Sequence, residues 1–98
     1  MSKIYTIKAT TTFDRSYKKL SKKNSSLTLI IRNIVKKIRR DPFDECLHTH
    51  KVMSRNHGLV YSSRVTKDLR ILWIEQSKGM VILLLDMGGH SGKNKVYK

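Results

Sequence analysis

The spacing of hydrophobic and polar positions changes along the chain. In the N-terminal part it predicts first a strand and then a helix. In residues 3–9, apolar and polar side chains alternate with a high β-branched content, which predicts a short strand. Phe13, Tyr17 and Leu20 then recur at helical spacing, and a threonine at position 11 or 12 would be a suitable N-cap. These residues predict an amphipathic helix with a basic outer surface.

A second helical stripe follows the polar residues 24–26. A basic last turn at residues 36–40 ends this stripe, and the following Asp41-Pro42 predicts the end of the helix because proline disfavours helical backbone at the residue before it. The apolar positions of this second predicted helix are Leu27, Ile30, Ile31, Ile34, Val35 and Ile38.

The second half of the chain predicts three strands. The hydrophobic residues of segment 42–58 show no regular spacing, which predicts a long polar connection of the kind that often carries functional residues. Residues 59–65 and 69–75 alternate as two strands of an antiparallel hairpin. Residues 80–87 are apolar on both faces, which is typical of a central strand covered on both sides.

The hairpin has a register that matters for function. If Val65 lies opposite Leu69, then Arg64 and Arg70 point to the same face of the sheet. The element order β-α-α-β-β-β predicts an α+β fold in which two N-terminal-half helices pack on a small, mainly antiparallel sheet. Residues 1–98 are expected to form a single domain.

The charge of the chain narrows its partners. Its 98 residues include 21 Lys and Arg against 7 Asp and Glu, a formal net charge of +14. This excess favours a polyanion: a nucleic acid, an acidic protein or an anionic membrane. The longest apolar run, residues 80–85, is far shorter than the roughly 20 residues needed to span a bilayer, and no signal peptide is evident. We therefore expect a cytoplasmic protein with no membrane partner.

Cysteine and histidine usage predicts neither a metal nor a cofactor. The single Cys46 can form no internal disulfide, and the His48-x-His50 pair has no nearby cysteine or carboxylate pair to complete a metal site. His90 follows the most apolar segment of this basic chain. An imidazole beside phosphate-binding cations suggests RNA cleavage, and an ordinary surface histidine after a strand is the alternative.

Several short motifs, in order and spacing, give the chain a family resemblance over nearly its whole length. It resembles the RelE/ParE superfamily of bacterial toxin–antitoxin toxins, and in particular the ribosome-dependent mRNA interferases of the RelE and YafQ kind. The matching motifs are Phe13-Asp-Arg-Ser-Tyr-Lys-Lys-Leu20, Asp41-Pro-Phe43, His50-Lys-Val52, Tyr61-Ser-Ser-Arg-Val65, Asp68-Leu-Arg-Ile-Leu-Trp73 and Gly88-Gly-His90.

The resemblance implies a metal-free reaction in which the ribose 2′-hydroxyl attacks the neighbouring phosphate, leaving a 2′,3′-cyclic phosphate and a 5′-hydroxyl. It implies that His50 and His90 are the catalytic acid–base pair. We expect His50 to be the base and His90 the acid, and the reverse pairing is the alternative. Arg64 would hold the phosphate and stabilise the transition state, or would be only an exposed arginine of the strand. Asp68 would orient an imidazole, or would serve only as a residue of the hairpin turn.

The resemblance also implies partners. mRNA in the ribosomal A site, ribosomal RNA and a cognate acidic antitoxin protein would bind the toxin, and the helix lysines would contact ribosomal RNA. Tyr97 would stack on an mRNA base, although seven positions separate it from His90, which is more than is common in the family. The predicted RNA-binding residues are Lys51, Arg55, Arg70, Lys95 and Tyr97.

Two other functions compete with RNA cleavage. A ParE-like toxin would inhibit DNA gyrase by binding it and would need no acid–base pair, so loss of His50 and His90 would leave its toxicity intact. A non-catalytic RNA-binding or ribosome-associated protein would use the positive charge alone and would leave mRNA uncut.

Overall fold

The computed structural model describes residues 4–89, so His90, Lys95 and Tyr97 lie outside the described residues. The described chain forms five strands, two α-helices and one short 3₁₀ helix. In chain order these are β1 (Thr6–Ala9), α1 (Thr11–Lys23), α2 (Ser25–Arg40), the 3₁₀ helix (Glu45–Leu47), β2 (His50–Ser54), β3 (Gly58–Arg64), β4 (Leu69–Gln76) and β5 (Val81–Gly89).

The five strands form one mixed sheet in the order β1-β5-β4-β3-β2. The β1–β5 pair is parallel, and the other three pairs are antiparallel. Both helices come from the N-terminal half, which confirms the predicted α+β class. β5 lies between two neighbours and has buried residues on both of its faces, for example Leu84 and Leu85, as its apolar pattern predicts.

The main hydrophobic core lies between the helices and one face of the sheet, which we call the helix-covered face. Trp73 and Ile71 of β4 are fully buried there, together with Phe13 of α1 and Ile31 and Ile38 of α2. The opposite side of the sheet, the second face, carries a smaller buried cluster of Val60, Leu72 and Leu85. Within residues 4–89, neither helix combines the length and the apolar character that a membrane crossing requires.

The prediction of an irregular connection over residues 42–58 is wrong in two places. Residues 45–47 form the 3₁₀ helix, and residues 50–54 form the edge strand β2. Only Val52 and Ser54 of this strand are withdrawn from solvent, because an edge strand has a neighbour on one side only. A strand of this kind needs few apolar residues, so its hydrophobic pattern is weak.

Helix α1 begins one residue earlier than the sequence suggests. Its N-cap is Thr10, whose side-chain oxygen accepts a hydrogen bond from the Phe13 amide at 3.1 Å. The same hydroxyl donates to the carbonyl oxygen of Leu85 at 2.7 Å. Thr10 therefore caps the helix and also fixes its first turn to β5, a contact distant in sequence that no residue spacing indicates.

Thr10→Ala should lower the free energy of unfolding by about 1–2 kcal/mol, since it removes the cap and the bond to Leu85. Thr10→Ser keeps the hydroxyl and should cost much less. Thr11→Ala is the matched control, and urea unfolding of the three variants is the measurement. An equal loss in Thr11→Ala would place the cap where the sequence pattern suggests it.

Candidate functional site

Strand register brings three of the predicted site residues to one end of the sheet. His50, the first residue of β2, pairs with Ser62 of β3, two positions before Arg64. Arg64 is the last residue of β3 and pairs with Arg70 of β4, which pairs in turn with Gly88 of β5. Because neighbouring strands lie about 4.8 Å apart, residues far apart in sequence become neighbours here.

These side chains also share a face. Ser63 bonds to Trp73 on the helix-covered face, so Ser62 and Arg64 point to the second face by strand alternation. Cross-strand partners point to the same face, which places His50 beside Ser62 and Arg70 beside Arg64. The predicted common face of the two arginines is confirmed.

The imidazole of His50 is exposed and is oriented by the backbone. Its Nδ1 lies 2.8 Å from the carbonyl oxygen of His48. A carbonyl oxygen can only accept, so Nδ1 carries the proton and Nε2 is the free acceptor of the neutral ring. His48 has left-handed backbone, with φ 49° and ψ 40°. His50 is thus held in the tautomer that leaves Nε2 able to take a proton.

The two arginines differ in what they bind. One guanidinium nitrogen of Arg70, Nη1, donates to the carbonyl oxygens of Thr66, Lys67 and Leu69 at 2.8, 3.2 and 3.3 Å. Arg70 therefore stabilises the β3–β4 turn. Within residues 4–89, the guanidinium of Arg64 donates no hydrogen bond and forms no ion pair.

The Arg64–Arg70 pair is electrostatically unfavourable as it stands. Like charges directly opposite each other on neighbouring strands repel, and neither guanidinium has a carboxylate partner in the described chain. A bound phosphate would remove this repulsion, and the planar donor fork of a guanidinium suits a phosphate. The end of the second face that carries His50 is thus suited to bind an anion.

The other predicted residues lie elsewhere on the described structure. Asp68 is exposed in the β3–β4 turn, and its side chain bonds to no other described residue. Lys51 points to the helix-covered face, where its Nζ lies 5.9 Å from the ring centre of Tyr61. Arg55 is exposed in the β2–β3 turn, at the opposite end of these strands from His50. The structure therefore gathers His50, Arg64 and Arg70, with Asp68 in the adjacent turn.

A chain of three buried or half-buried polar groups beside His50 is not evident from the sequence. Trp73 Nε1 donates to Ser63 Oγ at 2.8 Å, and Ser63 Oγ lies 2.7 Å from Thr49 Oγ1. Thr49 Oγ1 donates to the carbonyl oxygen of Pro42 at 2.6 Å. The available signal is their position in the chain, since Thr49 precedes His50 and Ser63 precedes Arg64.

The 3₁₀ helix that leads to His48 has a charged cap. The side chain of Asp44 accepts a hydrogen bond from the Cys46 amide at 2.9 Å. This bond, a second one from the Cys46 side chain and the charge of Lys37 together lower the pKa of the Asp44 carboxyl below its usual range. The cap is therefore ionised at neutral pH. Among the described residues, no three His, Cys, Asp or Glu side chains come together as potential metal ligands.

The fold and this site define a class: a small basic α+β protein with an imidazole and, among the described residues, an unpaired arginine charge at one end of a five-stranded sheet. Solved structures of a RelE–RelB complex, of a YoeB/ParE toxin and of YafQ share this fold. The archaeal RelE–RelB complex from Pyrococcus horikoshii OT3 matches with a TM-score of 0.71 and 16% identity, covering 90% of this chain and 97% of the matched one.

Two further structures have the same fold. The toxin–antitoxin complex RelBE2 from Mycobacterium tuberculosis has a TM-score of 0.68 and 19% identity, with 89% of this chain and 92% of the other covered. YafQ from E. coli has a TM-score of 0.66 and 14% identity, with 87% and 92% covered. No protein-family model and no curated protein sequence matches the chain.

The different contacts of the two arginines predict different effects on stability. Arg70→Ala should lower the free energy of unfolding by about 0.5–1.5 kcal/mol, because the turn carbonyls lose their donor. Arg64→Ala should leave stability unchanged or raise it slightly, since it removes a like-charge neighbour. Urea unfolding of both variants measures this difference, and equal losses would contradict the separate roles.

Proposed function

We propose that this protein is the toxin of a type II toxin–antitoxin module and that it cleaves mRNA on the ribosome by metal-free acid–base catalysis. One observation carries the proposal: the oriented His50 imidazole lies on the same face and sheet end as Arg64, whose guanidinium has no partner in the described chain. The fold shared with RelE and YafQ supports the assignment to toxins.

The reaction begins at the 2′-hydroxyl group. His50 Nε2 removes its proton, and the 2′-oxygen attacks the adjacent phosphorus atom. Arg64 donates to the non-bridging oxygens and stabilises the negative charge that builds up on them. The bond from phosphorus to the 5′-oxygen then breaks, which leaves a 2′,3′-cyclic phosphate.

The departing 5′-oxygen needs a proton, and we assign its donor to His90, which lies outside the described residues. In the reverse assignment His90 is the base, and a protonated His50 donates from Nε2 while Nδ1 stays bonded to His48. Asp68, in the turn beside Arg64, would favour the protonated form of a nearby imidazole through its charge.

RNA outside the cleaved bond would be held by charge and stacking. Arg70 would add to the Arg64 phosphate site with the nitrogen atoms that the turn leaves free. Lys95 and Tyr97 would contact the mRNA, and Lys51 and Arg55 would bind phosphates away from the catalytic end. The basic outer surfaces of α1 and α2 would bind ribosomal RNA, with an attraction that falls as salt rises.

The second partner in this proposal is an acidic antitoxin. The net charge of +14 favours an acidic protein segment that covers the basic surface. The similar RelBE2 structure is a toxin–antitoxin complex, which supports a partner of this kind for the present chain.

Incubating the purified protein with programmed ribosomes and end-mapped mRNA tests the proposal. The wild type should give cuts with 2′,3′-cyclic phosphate ends, and His50→Ala or His90→Ala should slow cleavage by about 10²- to 10⁴-fold, the usual contribution of a general acid or base. Arg64→Ala should also be strongly impaired. His57→Gln, in the β2–β3 turn at the far end of the strands, is the matched histidine control and should cut normally.

The competing functions predict other results. A gyrase inhibitor would leave mRNA intact and would remain toxic as His50→Ala. A non-catalytic binding protein would associate with ribosomes in every variant and cut in none. Either pattern would falsify the assignment of nuclease activity.

A further inference from the structure

The hydrogen bonds from Trp73 to Pro42 have a direction that is fixed by the chemistry of their two ends. The indole N–H of Trp73 can only donate, so the Ser63 oxygen accepts its proton. The carbonyl of Pro42 can only accept, so it takes the hydroxyl proton of Thr49. Ser63 must therefore donate its own proton to Thr49 Oγ1. Each hydroxyl group donates once and accepts once, and we call this chain the Trp73–Pro42 relay.

The relay is anchored in the core. Trp73 and Ser63 have 0% exposure, so an indole N–H without Ser63 would be left unsatisfied in an apolar region. The ring of Tyr61 stacks on Trp73 with 4.7 Å between centroids, and Phe43 packs edge-on against Trp73 at 5.8 Å. These contacts hold the indole in place, so the position of Thr49 is set from a fully buried ring of the core.

The other end of the relay lies beside the candidate base. Thr49 stands between His48, whose carbonyl oxygen binds Nδ1 of the imidazole, and His50 itself. A left-handed backbone such as that of His48 is unfavourable for residues other than glycine and persists only when its surroundings hold it. The His48 amide donates to the Glu45 carbonyl on one side, and the relay holds Thr49 on the other.

We propose that the Trp73–Pro42 relay holds His50 in the tautomer with the proton on Nδ1, and that Thr49 and Ser63 are positioning residues for RNA cleavage. Without the Thr49 hydroxyl, the peptide between His48 and Thr49 is free to rotate and the carbonyl leaves Nδ1. The imidazole then populates both tautomers and loses its fixed orientation. The claim about RNA cleavage rests on the proposed function, whereas the claim about the His50 tautomer is independent of it.

The first test needs no RNA. Nitrogen-15 NMR of the imidazole distinguishes the two neutral tautomers by reporting which ring nitrogen carries the proton. Wild type and Thr49→Ser should show His50 protonated at Nδ1, because both keep the hydroxyl. Thr49→Val has nearly the same shape without the hydroxyl and should show a mixture of both tautomers. A Thr49→Val protein with the wild-type His50 spectrum would overturn the inference.

A second pair of variants covers the case in which Thr49→Val does not fold. His48 is exposed, so substitutions there should be tolerated. His48→Gly accepts left-handed backbone freely and should keep the Nδ1 proton, whereas the β-branched His48→Val disfavours that backbone and should lose it. Retention of the Nδ1 tautomer in His48→Val would show that the carbonyl is not what fixes the ring.

Cleavage kinetics provide the second readout. Thr49→Val should lower kcat by about 10²-fold with little change in KM, the size expected when a catalytic group is misplaced by about 1 Å. Thr49→Ser should restore kcat. If the tautomer changes as predicted but neither the wild type nor any variant cuts RNA, the proposed function fails and the positioning role of the relay stands. If His50→Ala abolishes cleavage but Thr49→Val keeps tautomer and kcat, the function stands and the relay fails.

Discussion

The burial of the Trp73 indole is the constraint on which the candidate site depends. The ring lies in the centre of the helix-covered face with no exposed surface, and its N–H group must find an acceptor there. Ser63 supplies the acceptor, and its own proton then requires Thr49. One hydrogen-bonding requirement thus connects β4 to β3 and to the segment before β2. The first residue after that segment is His50, so core packing and site geometry are set by the same contacts.

The opposite face of the same strands carries an unfavourable arrangement that the rest of the fold tolerates. Arg64 and Arg70 are direct cross-strand neighbours, and Arg70 offsets part of the cost through its bonds to the turn carbonyls. Arg64 has no such contact in the described chain. Departures from such local rules are expected at functional sites. Arg64 is therefore a stronger indication of an anion-binding site than the many lysines of the helices, because solvent screens the charges of those lysines.

The sequence predicts the parts of the fold whose signal is periodic. The stripes of Phe13 and Ile31 predict both helices, and the alternation around Val65 and Leu69 predicts the hairpin and the common face of its arginines. The sequence does not predict β2, because this edge strand pairs with β3 only and its hydrophobic pattern is weak. The relay is also missed, because Thr49, Ser63 and Trp73 lie on separate segments and no spacing rule connects them. Backbone features such as the left-handed His48 leave no pattern, since the residue is not glycine.

The position of His50 on a strand also bears on the choice between the competing functions. A histidine that only contributes charge or surface to a protein interface gains nothing from a fixed tautomer, and an exposed ring on a free loop would sample both. Here the exposed ring is held through Nδ1 by a backbone carbonyl whose conformation is itself unfavourable. Such local strain is maintained only where the surrounding structure enforces it. Its effect is to leave Nε2 as an acceptor on the same face and sheet end as Arg64, an arrangement that suits proton transfer and that simple binding does not need.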